Sequence, residues 1–387
     1  MTARRNRVTP VLIAVFAASG LLGGYLTEAA NRLVSGRPIA IWQALDPPIL
    51  IAIMAGSGLL VVLSSLRPSR DAHRAMLAVA AMLLLLLLDG AGMGAARLMH
   101  AAPVARRVSL GWAFWAMAVA AALAIIDAGQ RLGLTPLRRL VVAAVILAAI
   151  AGLAIAGRFD QLSIVREFAI RRGAFVAQLI RHAELVAGAV VPAIVIGMPL
   201  GLWAARRPRV APAMFGTLNI LQTIPSIALF GLLIGPLTAL SEGLPVLARL
   251  GVHGIGWAPA VVALILYALL PVARNTLAGI KAVDPAIVDA ARGMGFGPAR
   301  IFLAVEMPLG LPVFLAGLRI VLVETIGLAV IAALIGGGGL GAFIFQGIGE
   351  YAIALVLLGA IPVTLMALAA DFVLQLWIAT LDRRSPA

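Results

Sequence analysis

The chain has 387 residues, of which 63% are hydrophobic and 12% are charged. Soluble domains usually contain about 25% charged residues, so this composition excludes a water-soluble globule and indicates a polytopic membrane protein. The net charge of +14 comes mainly from arginines in short runs between apolar segments. That distribution is typical of a membrane-topology signal and argues against nucleic-acid binding.

The apolar segments are long enough for transmembrane helices, which need about 20 residues each. They predict an all-α protein with about ten spans, at 9–27, 48–66, 75–95, 110–128, 140–157, 183–204, 213–235, 257–278, 309–334 and 351–379. The first segment is similar to a signal peptide, but its apolar run is close to span length and no clear cleavage site follows. We therefore expect it to be an uncleaved first span.

The basic residues predict the orientation of these spans. With a cytoplasmic N-terminus, the inside loops contain 17 of the 30 lysine and arginine residues. These loops are 1–8, 67–74, 129–139, 205–212, 279–308 and 380–387. Every inside loop is then basic, as the positive-inside rule requires, and both termini are expected in the cytoplasm.

Residues 158–182 depart from this rule, because they place five arginines on the predicted outer side. Their apolar residues recur near helical spacing, which favours an amphipathic helix lying on the outer interface; a missed or surplus span upstream is the alternative. The segment separates five accessory spans over 1–157 from five motif-rich spans over 183–387.

The longest predicted inside loop, 279–308, has the pattern of two short helices that meet at a glycine corner. Asp284 is a helix N-cap with Pro285 at the first helical position. Four apolar residues follow on one face: Ile287, Ala290, Ala291 and Met294. Such an element is suited to docking in a groove of a partner protein.

The second half of the loop contains the helix stops. Gly295 and Gly297 end the first helix, Pro298 starts a second, and Pro308 opens the next span.

This stretch resembles the coupling loop of ABC-importer permeases, whose pattern is E-A-A, three residues, G, nine residues, I-x-L-P. The sequence has Asp289-Ala290-Ala291, then Gly295, then Val305, Met307 and Pro308, with every spacing kept. Asp replaces Glu at 289, Val replaces Ile at 305 and Met replaces Leu at 307. The resemblance implies that Asp289, Ala290, Ala291, Gly295, Gly297 and Pro308 couple the chain to an ATPase.

Three further stretches are similar to the osmoprotectant subgroup of these permeases, which imports glycine betaine, choline, carnitine or proline betaine. They are "LQTIPSIALFGLL" (221–233), "LLPVARNTLAGIKAVDP" (269–285) and "GLAVIAALIGGGGLGAFIFQGI" (327–348). The resemblance covers roughly 175–380, and the five N-terminal spans are an extension of the compact form.

The resemblance implies a type I ABC-importer permease core in the C-terminal five spans, in a bacterial inner membrane. The implied partners are two copies of an ATP-binding subunit, a second permease that is identical or homologous, and an extracytoplasmic binding protein. The implied solute is a small zwitterion or cation.

The sequence has no nucleotide site of its own. A P-loop needs Gly-Lys-Ser/Thr, and the sole lysine, Lys281, lies in "GIKAV". ATP and Mg are therefore expected in the partner ATPase, with no cofactor in this chain. The four histidines lack metal-ligand spacing, and we expect no catalysis in this polypeptide.

The seventh span carries the best candidates for a translocation pathway. Pro225 removes a backbone donor in mid-membrane, which is tolerated where the backbone faces protein or a water-filled cavity. Polar side chains surround this break, namely Asn219, Gln222, Thr223 and Ser226. Hydrogen bonding between helices is the alternative role for them.

Two other features bear on the pathway. Glu324, deep in the ninth span, either attracts a cationic headgroup or pairs with Arg319 or with a partner's residue. The run "GGGGLG" (336–341) lacks the lysine of a phosphate loop, and we expect a flexible outer gate or re-entrant turn.

Two alternatives remain open at the sequence level. One is a permease of an amino-acid or methionine ABC importer. The other, from a different class, is an ATP-independent secondary transporter or a membrane scaffold whose loop matches the coupling pattern by chance. A co-purifying ATPase would separate the two classes.

Overall fold

The structure is a computed structural model that describes residues 8–31, 34, 36–66, 69–100, 102–103 and 105–382. The predicted basic chain ends, 1–7 and 383–387, and Arg67 of the second inside loop lie outside the described residues.

The N-terminal half combines long helices with three short strands. Its elements are α1 (Val8–Leu22), β1 (Leu26–Ala29), β2 (Arg37–Ile39), α2 (Ile41–Ala44), α3 (Pro47–Ser65), α4 (Arg70–Met99), β3 (Arg107–Leu110), α5 (Trp112–Arg131), α6 (Pro136–Ile155) and α7 (Ser163–Arg206). The strands were not predicted from the sequence. They form one antiparallel sheet in the order β2-β1-β3.

The C-terminal half is helical. It contains α8 (Ala211–Thr223), α9 (Ser226–Leu232), α10 (Ile234–Gly243), α11 (Pro245–Arg249), α12 (Trp257–Lys281), α13 (Pro285–Gly293), α14 (Pro298–Ile301), α15 (Met307–Leu328), α16 (Gly341–Gly349) and α17 (Ile353–Asp382). A π-helical turn, Phe302–Glu306, joins α14 to α15, and a 3₁₀ helix, Ala329–Ile335, extends α15.

The prediction of a multi-span helical membrane protein is confirmed. Within the described residues, nine helical segments are long and apolar enough to cross a membrane. The first predicted span is shorter than expected, because α1 has only 15 residues. The chain leaves the helix at Gly23 and Gly24 and continues as β1, so the apolar run 9–27 is part helix and part strand.

The described chain divides into two compact units. The accessory unit comprises Met1–Ile170 with Gly347–Leu355, and the second unit comprises Arg171–Gln346 with Val356–Ala387. The cut between Ile170 and Arg171 falls inside the predicted linker 158–182.

The predicted interfacial helix and the predicted sixth span both lie within α7, which consists of two helical parts that meet at a kink. The kink is at Arg171, whose φ of −113° and ψ of 19° are not helical. The part of 158–182 after Arg171 therefore continues the span instead of forming a separate linker. A position at the membrane interface stays a prediction for the part before it.

The accessory unit has its own apolar core around the sheet. Tyr25, Leu26, Leu87 and Phe114 are fully buried there. Gly111 allows the sheet to lie against the start of α5, since a Cβ at this position would come within 2.1 Å of the Gly24 carbonyl oxygen. The Gly111 N–H donates to the Tyr25 carbonyl at 2.9 Å.

In the second unit, α12 and α15 pack closely at small residues. A Cβ on Gly310 would lie 2.4 Å from the Gly279 carbonyl oxygen, and one on Gly317 would lie 2.0 Å from the Asn275 side chain. Glycines at such crossings let helix backbones approach, which is how membrane helices gain packing contacts without a hydrophobic driving force. These two helices form the frame from which the candidate site projects.

Candidate functional site

The predicted coupling loop is a helix–corner–helix element. Asp284 caps α13, since its carboxylate accepts a hydrogen bond from the Ala286 N–H at 2.9 Å, and Pro285 occupies the first turn. A proline is favourable there because its missing N–H would have no partner inside the helix. The predicted start of this helix is confirmed.

The two glycines of the corner have different roles. Gly295 has a φ of 83°, a left-handed conformation that favours glycine. The N–H groups of Gly295 and Phe296 donate to the carbonyls of Arg292 and Ala291, which closes the helix end. Gly297 has a φ of −73° and is the N-cap of α14, with no atom near its missing side chain. Only Gly295 therefore has a backbone that requires glycine.

The apolar face predicted on α13 is split between two environments. Ala291 is 1% exposed and packs into the chain, whereas Ile287, Ala290 and Met294 are exposed, Met294 at 68%. The expectation that all four residues are available to a partner is wrong for Ala291. An exposed isoleucine and methionine on one short helix leave an apolar patch, which we call the α13 patch (Ile287, Ala290 and Met294).

Asp289, one of the three residues that depart from the coupling pattern, lies on the exposed surface of α13. Its carboxylate accepts a hydrogen bond from Arg292 at 2.8 Å, and both side chains are exposed. Exposed pairs of this kind contribute at most about 1 kcal/mol to stability. The fold therefore does not depend on Asp289.

Sequence reasoning missed an ion pair at the base of this element. Glu306, the last residue of the π-helical turn, is only 3% exposed and accepts two hydrogen bonds from the Arg206 guanidinium at the end of α7. Single π-helical turns often occur at functional sites. One feature of the sequence indicated this ion pair, a single carboxylate in the apolar run before Pro308. The partner of Glu306 could not be found from the sequence, because Arg206 is 100 residues away.

Pro308 lies in the first turn of α15, where the sequence predicted that it opens the next span. The helical structure before it does not stop, because α14, the π-helical turn, α15 and the 3₁₀ helix are continuous over Pro298–Ile335. A proline is accepted here as the second residue of α15 because the π-helical turn changes the hydrogen-bond register before it. The corner thus connects directly to the span.

The predicted break in the seventh span is present between α8 and α9. The Gln222 amide donates to the Tyr267 carbonyl at 2.8 Å, and the Tyr267 hydroxyl donates to the freed Ile224 carbonyl. The Thr223 hydroxyl donates within its own helix to Ile220. Gln222 therefore makes a hydrogen bond between α8 and α12, which is the alternative role weighed for it, whereas the Thr223 bond stays within one helix.

Three of the predicted pathway residues have side chains without a hydrogen bond or ion pair in the described part of the chain. Asn219 is exposed and Ser226 is half-buried, and neither side chain has a hydrogen bond to any residue that the structure describes. Glu324 is exposed on α15 and likewise has no ion pair within the described part of the chain. Its suggested partner Arg319 binds Asp371 of α17 instead, at 2.7 Å.

The glycine-rich segment 336–341 is held by α7. Its Gly339 N–H donates to the Gln178 side chain at 2.6 Å, and Arg181 donates to the Gly337 carbonyl at 3.1 Å. His182 is fully buried beside Gly339 and hydrogen-bonds the Ile326 carbonyl through Nε2. The segment is thus an anchored turn, which favours the re-entrant turn over the flexible gate of the two expected forms.

The helical spans define a multi-span membrane protein, and the exposed helix–corner–helix element from Asp284 to Ile301, which we call the elbow, projects from them. The sequence profile described as "Binding-protein-dependent transport system inner membrane component" matches residues 197–385. A second profile, "ABC transporter permease YehY, N-terminal domain", matches residues 5–165.

Curated relatives agree with these profiles. The osmoprotectant import permease protein OsmW of Salmonella typhimurium (strain LT2) is 41% identical over 195 residues, 50% of this chain and 86% of the relative. The carnitine transport permease protein OpuCB of Listeria monocytogenes is 39% identical over 194 residues, 50% of this chain and 82% of the relative.

The chain therefore belongs to the family of inner-membrane permease components of binding-protein-dependent ABC importers. The expected permease core in the C-terminal half is confirmed, and the alternative of a secondary transporter or scaffold is wrong. A solved structure of the MetNI methionine ABC transporter, facing inward, is also similar, with 21% identity and a TM-score of 0.47 over 54% of this chain and 95% of that one.

Proposed function

We propose that this permease imports a small quaternary-ammonium osmoprotectant of the glycine betaine class. Support comes from the relatives, whose names describe permeases for carnitine, choline, glycine betaine or osmoprotectants, at 35–41% identity. Each of these relatives covers about half of this chain. The transport-component profile covers the half that contains the coupling elbow and the broken span.

The energy comes from a separate subunit that binds ATP and Mg. Two copies of this ATPase bind two permeases, which are identical or homologous. Each copy contacts the α13 patch of one permease on the cytoplasmic side. This step rests on one observation, namely that the apolar side chains of Ile287 and Met294 are exposed on α13. Small and apolar side chains on a short helix are suited to a groove on a partner.

The elbow transmits the movement of the ATPase to two membrane helices, the ninth span and α7. Because α14, the π-helical turn and α15 are continuous, a push on α13 moves the ninth span. The Arg206–Glu306 ion pair carries the same push to the end of α7. Rigid helices then convert it into alternating access, with an extracytoplasmic binding protein delivering solute to the outer face.

The solute passes the break between α8 and α9. Asn219 and Ser226 offer polar groups there, and the exposed Glu324 carboxylate supplies the negative charge that attracts a quaternary ammonium. A cation–π cage for tight binding is expected in the binding protein. The permease is therefore expected to bind the solute only weakly and transiently.

Uptake assays test this proposal. Cells that express the complete importer are given radiolabelled glycine betaine, choline, carnitine and methionine. We expect ATPase-dependent uptake of the quaternary-ammonium solutes, and Glu324→Gln is expected to lower uptake of choline. Uptake of methionine alone, or unchanged choline uptake in Glu324→Gln, would contradict the assigned solute class or the assigned pathway residue.

The coupling step is tested by charge reversal. Asp289→Arg is expected to abolish uptake without loss of membrane insertion, because it places a positive charge in the ATPase contact. Asp71→Arg is the matched control, since Asp71 forms the same exposed i,i+3 pair with Arg74 on α4, at 3.0 Å. Normal uptake by Asp289→Arg, or equal loss in both variants, would show that α13 is not the coupling contact.

A further inference from the structure

Helix α12 carries an arginine that the proposed mechanism does not use. Arg274 lies in the predicted eighth span, seven residues before the end of α12, which is about 10 Å along the helix. Its side chain is exposed, and it has no ion pair among the residues that the structure describes. Charged residues inside membrane-spanning segments almost always face the helix bundle or a water-filled cavity. Arg274 is therefore a candidate for contact with a solute.

The guanidinium of Arg274 lies against the broken span. It is over the Phe215 ring of α8, 5.9 Å from the ring centroid, which is within the range of a cation–π contact. The aromatic ring offers no oxygen atom to the guanidinium. Its N–H donors therefore have no acceptor in the described part of the chain and are available to a ligand.

Two contacts between α8 and α12 fix the depth of Arg274 relative to the break. At the break, the Gln222 amide donates to the Tyr267 carbonyl. Seven residues along each helix from this bond, Phe215 contacts Arg274. The helices are thus antiparallel, and Arg274 lies about 10 Å from the break toward the predicted cytoplasmic side. Asn219 lies between the two contacts, because residues 215, 219 and 222 share one face of α8.

The acidic residue Glu324 lies at the depth of the break. Helix α15 and its 3₁₀ extension run antiparallel to α12, and the Gly256 N–H donates to the Ile335 carbonyl at 2.8 Å. Eleven residues along each helix from this bond lead to Glu324 and to Tyr267, so these two residues have about the same depth. The proposed pathway therefore has an acidic residue at the break and a basic residue about 10 Å further toward the cytoplasm.

We propose that Arg274 binds the carboxylate of a zwitterionic solute on the cytoplasmic side of the break, after Glu324 has held the quaternary ammonium group. A guanidinium has a planar set of N–H donors that matches a carboxylate, whereas it repels a cation. The permease thereby favours glycine betaine over choline, which has an alcohol in place of the carboxylate. This inference rests on the proposed function, and it assigns a residue that distinguishes solutes within the proposed class.

Uptake by the complete importer tests this role. Arg274→Gln is expected to lower glycine betaine uptake at least about tenfold, because a charge-assisted hydrogen bond to the carboxylate is lost. Choline uptake is expected not to fall, since choline loses no favourable contact and the repulsion is removed. An equal fall for both solutes, at equal membrane abundance, would show that Arg274 only supports the structure and would overturn the proposal.

Chemical restoration of the charge tests the same role in one folded preparation. The chain has no cysteine, so Arg274→Cys gives a single thiol in this subunit. The complete importer, with cysteine-free partner subunits, is modified in detergent, checked by mass and reconstituted. Aminoethyl methanethiosulfonate adds a cation and is expected to raise glycine betaine uptake severalfold. The sulfonatoethyl reagent adds an anion and is expected to give no increase.

Arg209→Cys is the matched control, because Arg209 is an exposed arginine between α7 and α8, outside the spans. It is expected to keep near wild-type uptake before and after either reagent. Equal recovery of Arg274→Cys with both reagents, or no recovery with the cationic reagent, would overturn the proposal.

These measurements separate the role of Arg274 from the proposed solute class. If the wild-type importer takes up glycine betaine and Arg274→Gln lowers both solutes equally, the role of Arg274 alone is overturned. If the importer takes up methionine instead, and the loss and recovery at Arg274 are seen with methionine, the carboxylate contact stands and the quaternary-ammonium class is overturned.

Discussion

At the residue scale, the ion pair between Arg206 and Glu306 has the largest consequence for the mechanism. A buried carboxylate with two charge-assisted hydrogen bonds is strongly destabilising when its partner is removed, by about 3–5 kcal/mol. Replacing both charges is far less costly, because no uncompensated charge is left. Glu306 is therefore a positioning residue whose structural and mechanical effects can be separated.

Arg206→Gln is expected to destabilise the permease by about 3 kcal/mol, the lower end of that range, because it leaves the buried Glu306 carboxylate without its partner. It is also expected to raise the amount of ATP hydrolysed per solute imported, because α7 no longer follows the elbow. Thermal unfolding and the ATP-to-solute ratio measure the two effects.

The double variant Arg206→Gln/Glu306→Gln is expected to recover most of the thermal stability without recovering the coupling ratio. Arg207→Gln is the control, as Arg207 is exposed beside the pair. Recovery of both quantities together would show that the ion pair only stabilises the fold.

At the element scale, the glycine corner decides the angle between α13 and α14. Gly295 adopts a left-handed conformation, which costs about 1–2 kcal/mol for any residue with a Cβ. Gly297 has ordinary backbone angles and open space around it. The two glycines look equivalent in the sequence, and the structure separates them.

Gly295→Ala is expected to lower solute uptake severalfold, because relieving the strain reorients α13 against the ATPase. Gly297→Ala is the matched control and is expected to keep near wild-type uptake. Initial uptake rates at equal membrane abundance measure the difference. Equal uptake rates in the two variants would show that the left-handed conformation of Gly295 does not maintain the angle between α13 and α14.

Elements with a strong local signal were predictable. Hydropathy located the long helices, Pro225 located the break, and Asp284 with Pro285 located the start of α13. The sheet was missed because strands of three or four residues are too short for an alternating pattern to show. The extension of the sixth span back to the kink at Arg171 was missed because the arginines around it are typical of an interfacial helix.

Contacts between distant residues could not be predicted from one sequence. The burial of Ala291 depends on what packs beneath α13, and the partner of Arg319 is Asp371 instead of the nearby Glu324. Gln222 was a candidate for the pathway, but its side chain donates a hydrogen bond to the Tyr267 carbonyl of α12. In each case tertiary geometry decided between alternatives that composition left open.

At the scale of the whole molecule, the chain divides into two compact units. The second unit contains the coupling elbow, the broken span and most of the region that matches the importer family. The accessory unit has its own core and a sheet, and matches a different profile. We expect transport in the second unit.

Labelling of a single cysteine tests most directly whether the α13 patch is the cytoplasmic contact for the ATPase. The chain has no cysteine, so Met294→Cys gives a unique thiol on the patch, and Ile255→Cys gives one on the predicted outer side. A membrane-impermeant maleimide should label Ile255→Cys in whole cells and Met294→Cys only in inside-out vesicles, with Met294→Cys protected once the ATPase subunit is bound. Labelling of Met294→Cys in whole cells, or equal labelling with and without the ATPase, would contradict the coupling role of α13.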